Sequence, residues 1–246
     1  MRNIRLLIEY EGTNYSGWQT QENAISIQET MEDAIEQVTG ERTRLIASGR
    51  TDGRVHALGQ VANFFTNDKV IPGSNFKYPL NAKLPPDIKV LKSEDVDLEF
   101  HSRFNATKKK YRYVVYNGEI PRPIYRNFSY HVYGDLNIDE MIKSTKYFIG
   151  THDFKSFMGP KSEVDTTIRT IYQMDITKNG ELIEITVKGK SFLRHMIRII
   201  VGTLVHVGLG KIKREDLNNI IQGRNRTLAG PTAPPQGLFL EKVYYD

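Results

Sequence analysis

The sequence predicts an α+β chain of two related units, each a sheet carrying helices, on three observations. The order strand, helix, strands occurs twice. Two helix starts carry the same capping pattern, Ser26-x-x-Glu29 and Asn137-x-x-Glu140, and Asn179-Gly180 between two β-rich runs marks an antiparallel hairpin. In order, Leu6, Ile8 and Tyr10 alternate with Arg5, Leu7 and Glu9, the period of a strand. A polar stretch punctuated by glycines, Glu11–Gln19, follows. Ile27, Met31, Ala34, Ile35 and Val38 then line one helical face that stops at Gly40. Val61–Phe65 reads as a strand and Pro79–Asp87, with Pro85-Pro86, as a loop. In the second half, Tyr111–Tyr116 is aromatic and β-branched, hence strand. A helix from Asn137 runs to Phe148-Ile149 and ends at Gly150. Ile168–Ile176 and Ile183–Val187 flank the hairpin, whose Asn-Gly pair predicts a type I′ turn. A helix from Phe192 to about His206, a short one at Leu217–Ile221 and a strand at Leu238–Val243 complete the chain. The boundary falls at the junction that precedes the Tyr111 strand, giving units 1–105 and 106–246.

A chain of 246 residues with 39% hydrophobic content can bury one large core or two smaller ones. The longest nearly unbroken apolar run, Met196–Val201, is interrupted by Arg198 and falls far short of the ~20 residues that span a bilayer. Met1–Arg5 leads straight into a strand with no apolar signal core, so a soluble, cytoplasmic protein without membrane contact is expected. The chain has no cysteine, which excludes disulfides, a thiolate nucleophile and Cys-ligated metals.

Net charge is only +5, but the charges are unevenly distributed. Between residues 42 and 67, Arg42, Arg44, Arg50 and Arg54 surround a single carboxylate, Asp52. Residues 101–118 hold Arg103, Lys108, Lys109, Lys110 and Arg112 with no acid. Residues 185–214 hold Lys188, Lys190, Arg194, Arg198, Lys211, Lys213 and Arg214, again with none. Three basic stretches separated by acidic ones are what a polyanion-binding surface requires, although scattered solvated faces would read the same way.

Several chemistries fail on inspection. Gly189-Lys190-Ser191 lies between a strand and a helix, but Glu184 stands where a phosphate-binding loop needs glycine. No histidine opens a zinc signature, and there is no G-x-S-x-G elbow, so neither metal nor cofactor is expected. What remains is Ser48-Gly49-Arg50-Thr51-Asp52-Gly53-Arg54-Val55-His56-Ala57, the loop 48–57. A carboxylate isolated among arginines can serve as nucleophile, general base or salt-bridge partner. The cations suit phosphate, and the one group among them that does not is Asp52, as an active site for RNA chemistry would have it.

Gly49-Arg50-Thr51-Asp52-x-x-Val55-His56-Ala57 resembles the catalytic loop of the tRNA pseudouridine synthase A family, which isomerises uridines in the tRNA anticodon stem-loop, at positions 38, 39 and 40. The resemblance runs through nearly the whole chain. It includes Ile8-Glu9-Tyr10-x-Gly12-Thr13-x-Tyr15-x-Gly17-Trp18-Gln19-x-Gln21, Leu80-Asn81-x-x-Leu84-Pro85-x-Asp87-Ile88, and Phe100-His101-x-Arg103-Phe104-x-Ala106 with Lys110–Tyr113. Phe192-Leu193-x-His195-Met196-Ile197-Arg198 and Ala233-Pro234-Pro235-x-Gly237-Leu238 complete it. The resemblance implies two RNA-recognition-like (ferredoxin-like) subdomains forming a continuous antiparallel sheet, with helices on one side and a central cleft. It also implies a homodimer whose joint basic surface holds tRNA.

By that resemblance Asp52 is the catalytic carboxylate and nucleophile, with addition to C1′, addition to C6 and proton abstraction from the sugar all open to it. Arg198 pairs with Asp52, Tyr111 stacks on the target base, and Arg50 fills the vacated stack or grips a phosphate. Arg54, Lys108, Lys109, Lys110, Lys188, Lys190 and Arg194 are expected on the substrate, chiefly at phosphates. Tyr113 and Tyr116 are expected in the core, and His56 as a hydrogen-bonding support. Two departures bear on the target: the family commonly has Ala-Gly where this chain has Gly53-Arg54, and Asn where it has Ile199. A related synthase with a different RNA target and a non-catalytic RNA-binding protein are the alternatives. An Asp-dependent glycosidase would need a second carboxylate, and none lies near Asp52 in sequence.

Overall fold

The computed structural model describes residues 1–160 and 164–245. The chain is mixed α+β, its strands paired mostly antiparallel, and it divides into two compact units, Met1–Thr107 with Phe239–Asp246, and Lys108–Leu238. The final strand therefore groups with the first unit, whereas the sequence reading placed it within 106–246. Its pairing explains the difference: Phe239 and Leu240 lie parallel to His56 and Ala57.

In the first unit β1 (Arg2–Tyr10) is central, antiparallel to β3 (His56–Thr66) on one side and β4 (Ile88–Val96) on the other. The short β2 (Ile46–Ala47) and β10 (Leu238–Tyr244) also pair with β3. Ile4, Leu6 and Ile8 are fully buried, as are Ile27, Met31 and Ile35 of α1 (Ile27–Thr39), so the period-2 strand and the 3.6-period helix supply one core. The Ser26 side chain accepts from the Glu29 N–H, and Gly40 takes the left-handed conformation, φ 72°.

Two elements depart from the sequence reading. Pro79–Lys83, expected in a loop, belongs to α2 (Lys77–Lys83), where Pro79 sits in the first turn and forfeits no intrahelical bond. β4 went unread because only Ile88 and Val90 alternate before Lys92, Ser93, Glu94 and Asp95. It is the outer strand of this unit, and charged side chains suit such an edge.

In the second unit β5 (Lys108–Tyr116), β9 (Leu182–Gly189), β8 (Ile168–Asn179) and β7 (Gly150–Asp153) lie in that order, all antiparallel, with β6 (Tyr130–His131) parallel to β5. The hairpin turn is Gly180-Glu181, not Asn179-Gly180. Asn179 pairs with Leu182, and only Gly180 has positive φ, 59°, the type II′ pattern with glycine first. Asn137 caps α3 (Ile138–Thr145), which ends before Phe148. Phe148 is instead fully buried, edge-on to Phe157 at 5.3 Å between centroids. The late helix α4 (Met196–Gly208) starts four residues after Phe192 because His195 adopts φ 60°, which no helix continues. The short α5 (Leu217–Gln222) falls where expected. Among the described residues no helix is long and apolar enough to cross a membrane.

Candidate active site

Asp52 lies in a loop that the opening motif holds by its backbone. Trp18 N–H donates to Thr51 O at 3.0 Å, Arg54 N–H to Tyr15 O at 3.1 Å, and Gly17 bridges Asp52. The same stretch receives α1, whose Ile27 and Gln28 N–H groups donate to Gly17 O and Trp18 O, satisfying two donors that a helix start leaves open. The Leu80–Ile88 motif joins in: Tyr15 Oη donates to Asp87 Oδ1 at 2.7 Å, and Glu11 N–H to Asp87 O at 2.9 Å. Burial and the adjacent Asp87 carboxylate raise the Tyr15 hydroxyl far above the usual phenol range, so it stays a donor. Three motifs distant in sequence thus build one support.

His56 is 1% exposed, accepts the Gly12 N–H on Nδ1 at 3.0 Å and stacks on Phe239, centroids 4.8 Å apart. It is a support, as expected. Asp52 is half-buried, and Arg50 and Arg54 are exposed. Arg54 holds φ 65°, a conformation costing a side-chain-bearing residue roughly 1–2 kcal/mol. Gly53 has no such need: a Cβ there would meet Ser16 backbone atoms at 3.4–3.6 Å, ordinary contact. The two residues are placed opposite to their conformational preferences.

The second unit carries the other expected site residues. Tyr111 is buried at 8% exposure and meets Phe192 edge-on, centroids 5.3 Å apart. Tyr113 and Tyr116 are core, with Tyr113 Oη donating to Pro234 O at 2.7 Å. The lysine run divides between faces. Lys108 and Lys110 share one face with Arg112 and Lys188, Lys110 standing directly opposite Lys188, while Lys109 lies on the Tyr111 face. Like charges in direct register disfavour the sheet unless an anion covers them. Lys190 and Arg194 are exposed, and an Arg194 N–H donates to Pro160 O at 3.4 Å.

Arg198 is half-buried and clamped: its Nε donates to Ala233 O at 2.8 Å, and Ala233 N–H returns a bond to Arg198 O at 3.0 Å. The Ala233–Leu238 motif thus holds the late-helix arginine through Ala233. Gly202 makes this docking close, since a Cβ there would fall 1.8 Å from Pro231 O. Among the described residues no group of three or more His, Cys, Asp or Glu side chains is placed to hold a metal ion.

A family model described as tRNA pseudouridine synthase matches residues 6–105 and 145–246. Proteins named tRNA pseudouridine synthase A from Thermoanaerobacter pseudethanolicus and Acetivibrio thermocellus are 49% and 48% identical to this chain, and in each case 100% of both sequences is covered. This chain belongs to the tRNA pseudouridine synthase family. A relative of the same name from Clostridium kluyveri is 48% identical, again over 100% of both sequences. A chain from the crystal structure of a Cbf5-Nop10-Gar1 complex aligns over 94% of this synthase and 56% of its own length. Its TM-score is 0.38 at 11% identity, too slight a likeness to bear on fold or function.

Sequence reading of this synthase missed the residues that hold the loop from behind: Tyr10, Gly12 and Gln60. Tyr10 and Gly12 were legible only as parts of the opening motif. Gln60 carried one available signal, a polar residue between Leu58 and Ala62 on one face of the strand.

Proposed function

We propose that this chain isomerises uridine to pseudouridine in the anticodon stem-loop of tRNA, at positions 38, 39 and 40, with Asp52 as the catalytic carboxylate. The observation that carries this reading is full-length kinship to proteins named for that reaction, with Gly49-Arg50-Thr51 and Val55-His56-Ala57 in place around Asp52. The reaction breaks the C1′–N1 bond and makes C1′–C5; the C5 hydrogen leaves as a proton and N1 gains one, so no atom need be supplied from outside. Arg198, held by Ala233, would pair with Asp52. Tyr111 would stack on the extruded base, an interaction worth about 1–3 kcal/mol against an extrusion cost of a few. Arg50 would occupy the vacated stack or grip the backbone. Lys108, Lys110 and Lys188, with Lys109, Lys190, Arg54 and Arg194, would meet phosphates. A cytoplasmic homodimer is part of the same proposal.

Incubation with unmodified tRNA transcripts, followed by pseudouridine mapping at nucleotide resolution, tests it. Conversion at 38, 39 or 40 is expected. Conversion elsewhere would overturn the target, and conversion nowhere the activity.

The strained Arg54 favours a second reading of the target, a synthase of the same chemistry whose loop arginine narrows or shifts the site. Arg54→Gly is expected to stabilise the protein by about 1 kcal/mol, because glycine adopts this backbone freely. The same variant should weaken tRNA binding and reduce its log–log salt slope by about 0.7–0.9, the share of one phosphate contact. Thermal melting and binding titrations at several salt concentrations check the two effects. Stabilisation without a change in slope would mean that Arg54 does not touch RNA.

A further inference from the structure

Gln60 is fully buried on the core face of β3, in register with Ile8 and between neighbours that are otherwise apolar. A primary amide in such a place is costly unless each of its polar atoms is paired. Here each is. Oε1 accepts from Ser48 Oγ at 2.7 Å and from Val61 N–H at 3.2 Å, while Nε2 donates to Gly49 O at 2.9 Å. The amide's orientation is dictated by its partners, since Val61 N–H can only donate and Gly49 O can only accept.

Tyr10 holds the same segment at its other end, its Oη lying 2.8 Å from Thr51 Oγ1 in a buried bond. Burial keeps the Tyr10 phenol protonated at any working pH. Two buried side chains thus grip the loop on both sides of Arg50: Gln60 at Ser48 and Gly49 before it, and Tyr10 at Thr51 after it. Asp52 is the next residue.

We infer that Gln60, together with Tyr10, is a positioning residue that fixes the register of the Gly49–Asp52 segment and so the placement of Arg50 and Asp52 on the substrate. The inference rests on the reading of Asp52 as the catalytic group. Gln60 touches no substrate atom. Removing its hydrogen bonds leaves the cationic surface intact but frees the segment, so the rate in the bound complex should suffer and affinity should not.

The test compares the full chain with Gln60→Met, Tyr10→Phe and the double variant. Single-turnover pseudouridine formation at saturating enzyme is measured beside tRNA affinity and hydrogen exchange of the amides of residues 49–53. Gln60→Met is expected to slow the single turnover by about 100-fold, the scale of an ångström-level misplacement. Affinity should be retained, and exchange should accelerate at 49–53 but not in α1. Tyr10→Phe, which removes one oxygen, should show a smaller loss of the same kind, and the double variant less than the product of the two.

Parent-like single turnover and exchange in Tyr10→Phe would overturn the inference even if Gln60→Met failed to fold. Losses confined to affinity or global stability would overturn it as well. Should the parent form no pseudouridine, the functional reading fails on its own, and loop exchange still reports whether Gln60 sets the register.

Discussion

Asp52→Asn is expected to abolish pseudouridine formation, by at least on the order of 10⁴-fold, the scale seen when a group acting on the reacting atoms is replaced. tRNA affinity should stay close to that of the parent. The expectation follows from what the loop uses to hold itself. Its bonds to the opening motif run from Trp18 N–H to Thr51 O and from Arg54 N–H to Tyr15 O, and Val55 N–H reaches the Asp52 carbonyl at 3.2 Å. These three are backbone bonds, and neither they nor the Tyr10–Thr51 hydroxyl bond uses the carboxylate. Asn has the same shape as Asp, so loop and basic surface persist while the reactive oxygen becomes an amide. A non-catalytic RNA-binding protein would keep its full function in this variant; a synthase would keep only binding. Quantitative mapping of pseudouridine in a single-turnover series, beside a binding titration, separates the two. A variant converting uridine at a rate comparable with the parent would remove Asp52 from the chemistry.

How much of this was legible beforehand differed by the kind of signal. α1 and α3 could be read because their caps are local: Ser26 with Glu29 and Asn137 with Glu140 are decided within four residues. β4 and α2 could not, because a polar edge strand and a helix with proline in its first turn have no period strong enough to stand out. The hairpin was placed correctly but its turn was not, since strand register, set by pairing along β8 and β9, moved the turn by one residue. In the site, Asp52 stood out by charge alone. The network behind it did not, because Tyr10 reaches Thr51 only once β1 pairs with β3, and Ser48 reaches Gln60 only once β2 does. Arg198 was legible as a charge in an apolar helix, but its clamp to Ala233, 35 residues on, was not.

Gly12→Ala is expected to cost about 2–4 kcal/mol of stability and roughly 100-fold in turnover, although it adds one methyl group at a residue that touches no substrate. Gly12 is not glycine for the sake of its φ, which is not positive. It is glycine for close approach: a Cβ there would lie 2.1 Å from Val55 O and 2.7 Å from Val55 C. Those are backbone atoms and cannot swing aside, so the opening loop must part from the start of β3. Parting them breaks the bond from Gly12 N–H to His56 Nδ1, leaving a ring nitrogen unfilled on a side chain 1% exposed to solvent. It also shifts the backbone that carries Asp52, three residues before Val55. Gly53→Ala is the control, because its added Cβ meets only ordinary contacts at 3.4 Å and beyond, and a change within about 0.5 kcal/mol is expected. Denaturant melts of both variants, read beside single-turnover rates, decide the matter. Equal effects at the two positions would show that loop glycines matter for flexibility in general. A large effect at Gly12 alone shows that the opening motif acts on the chemistry by how closely it packs against the loop.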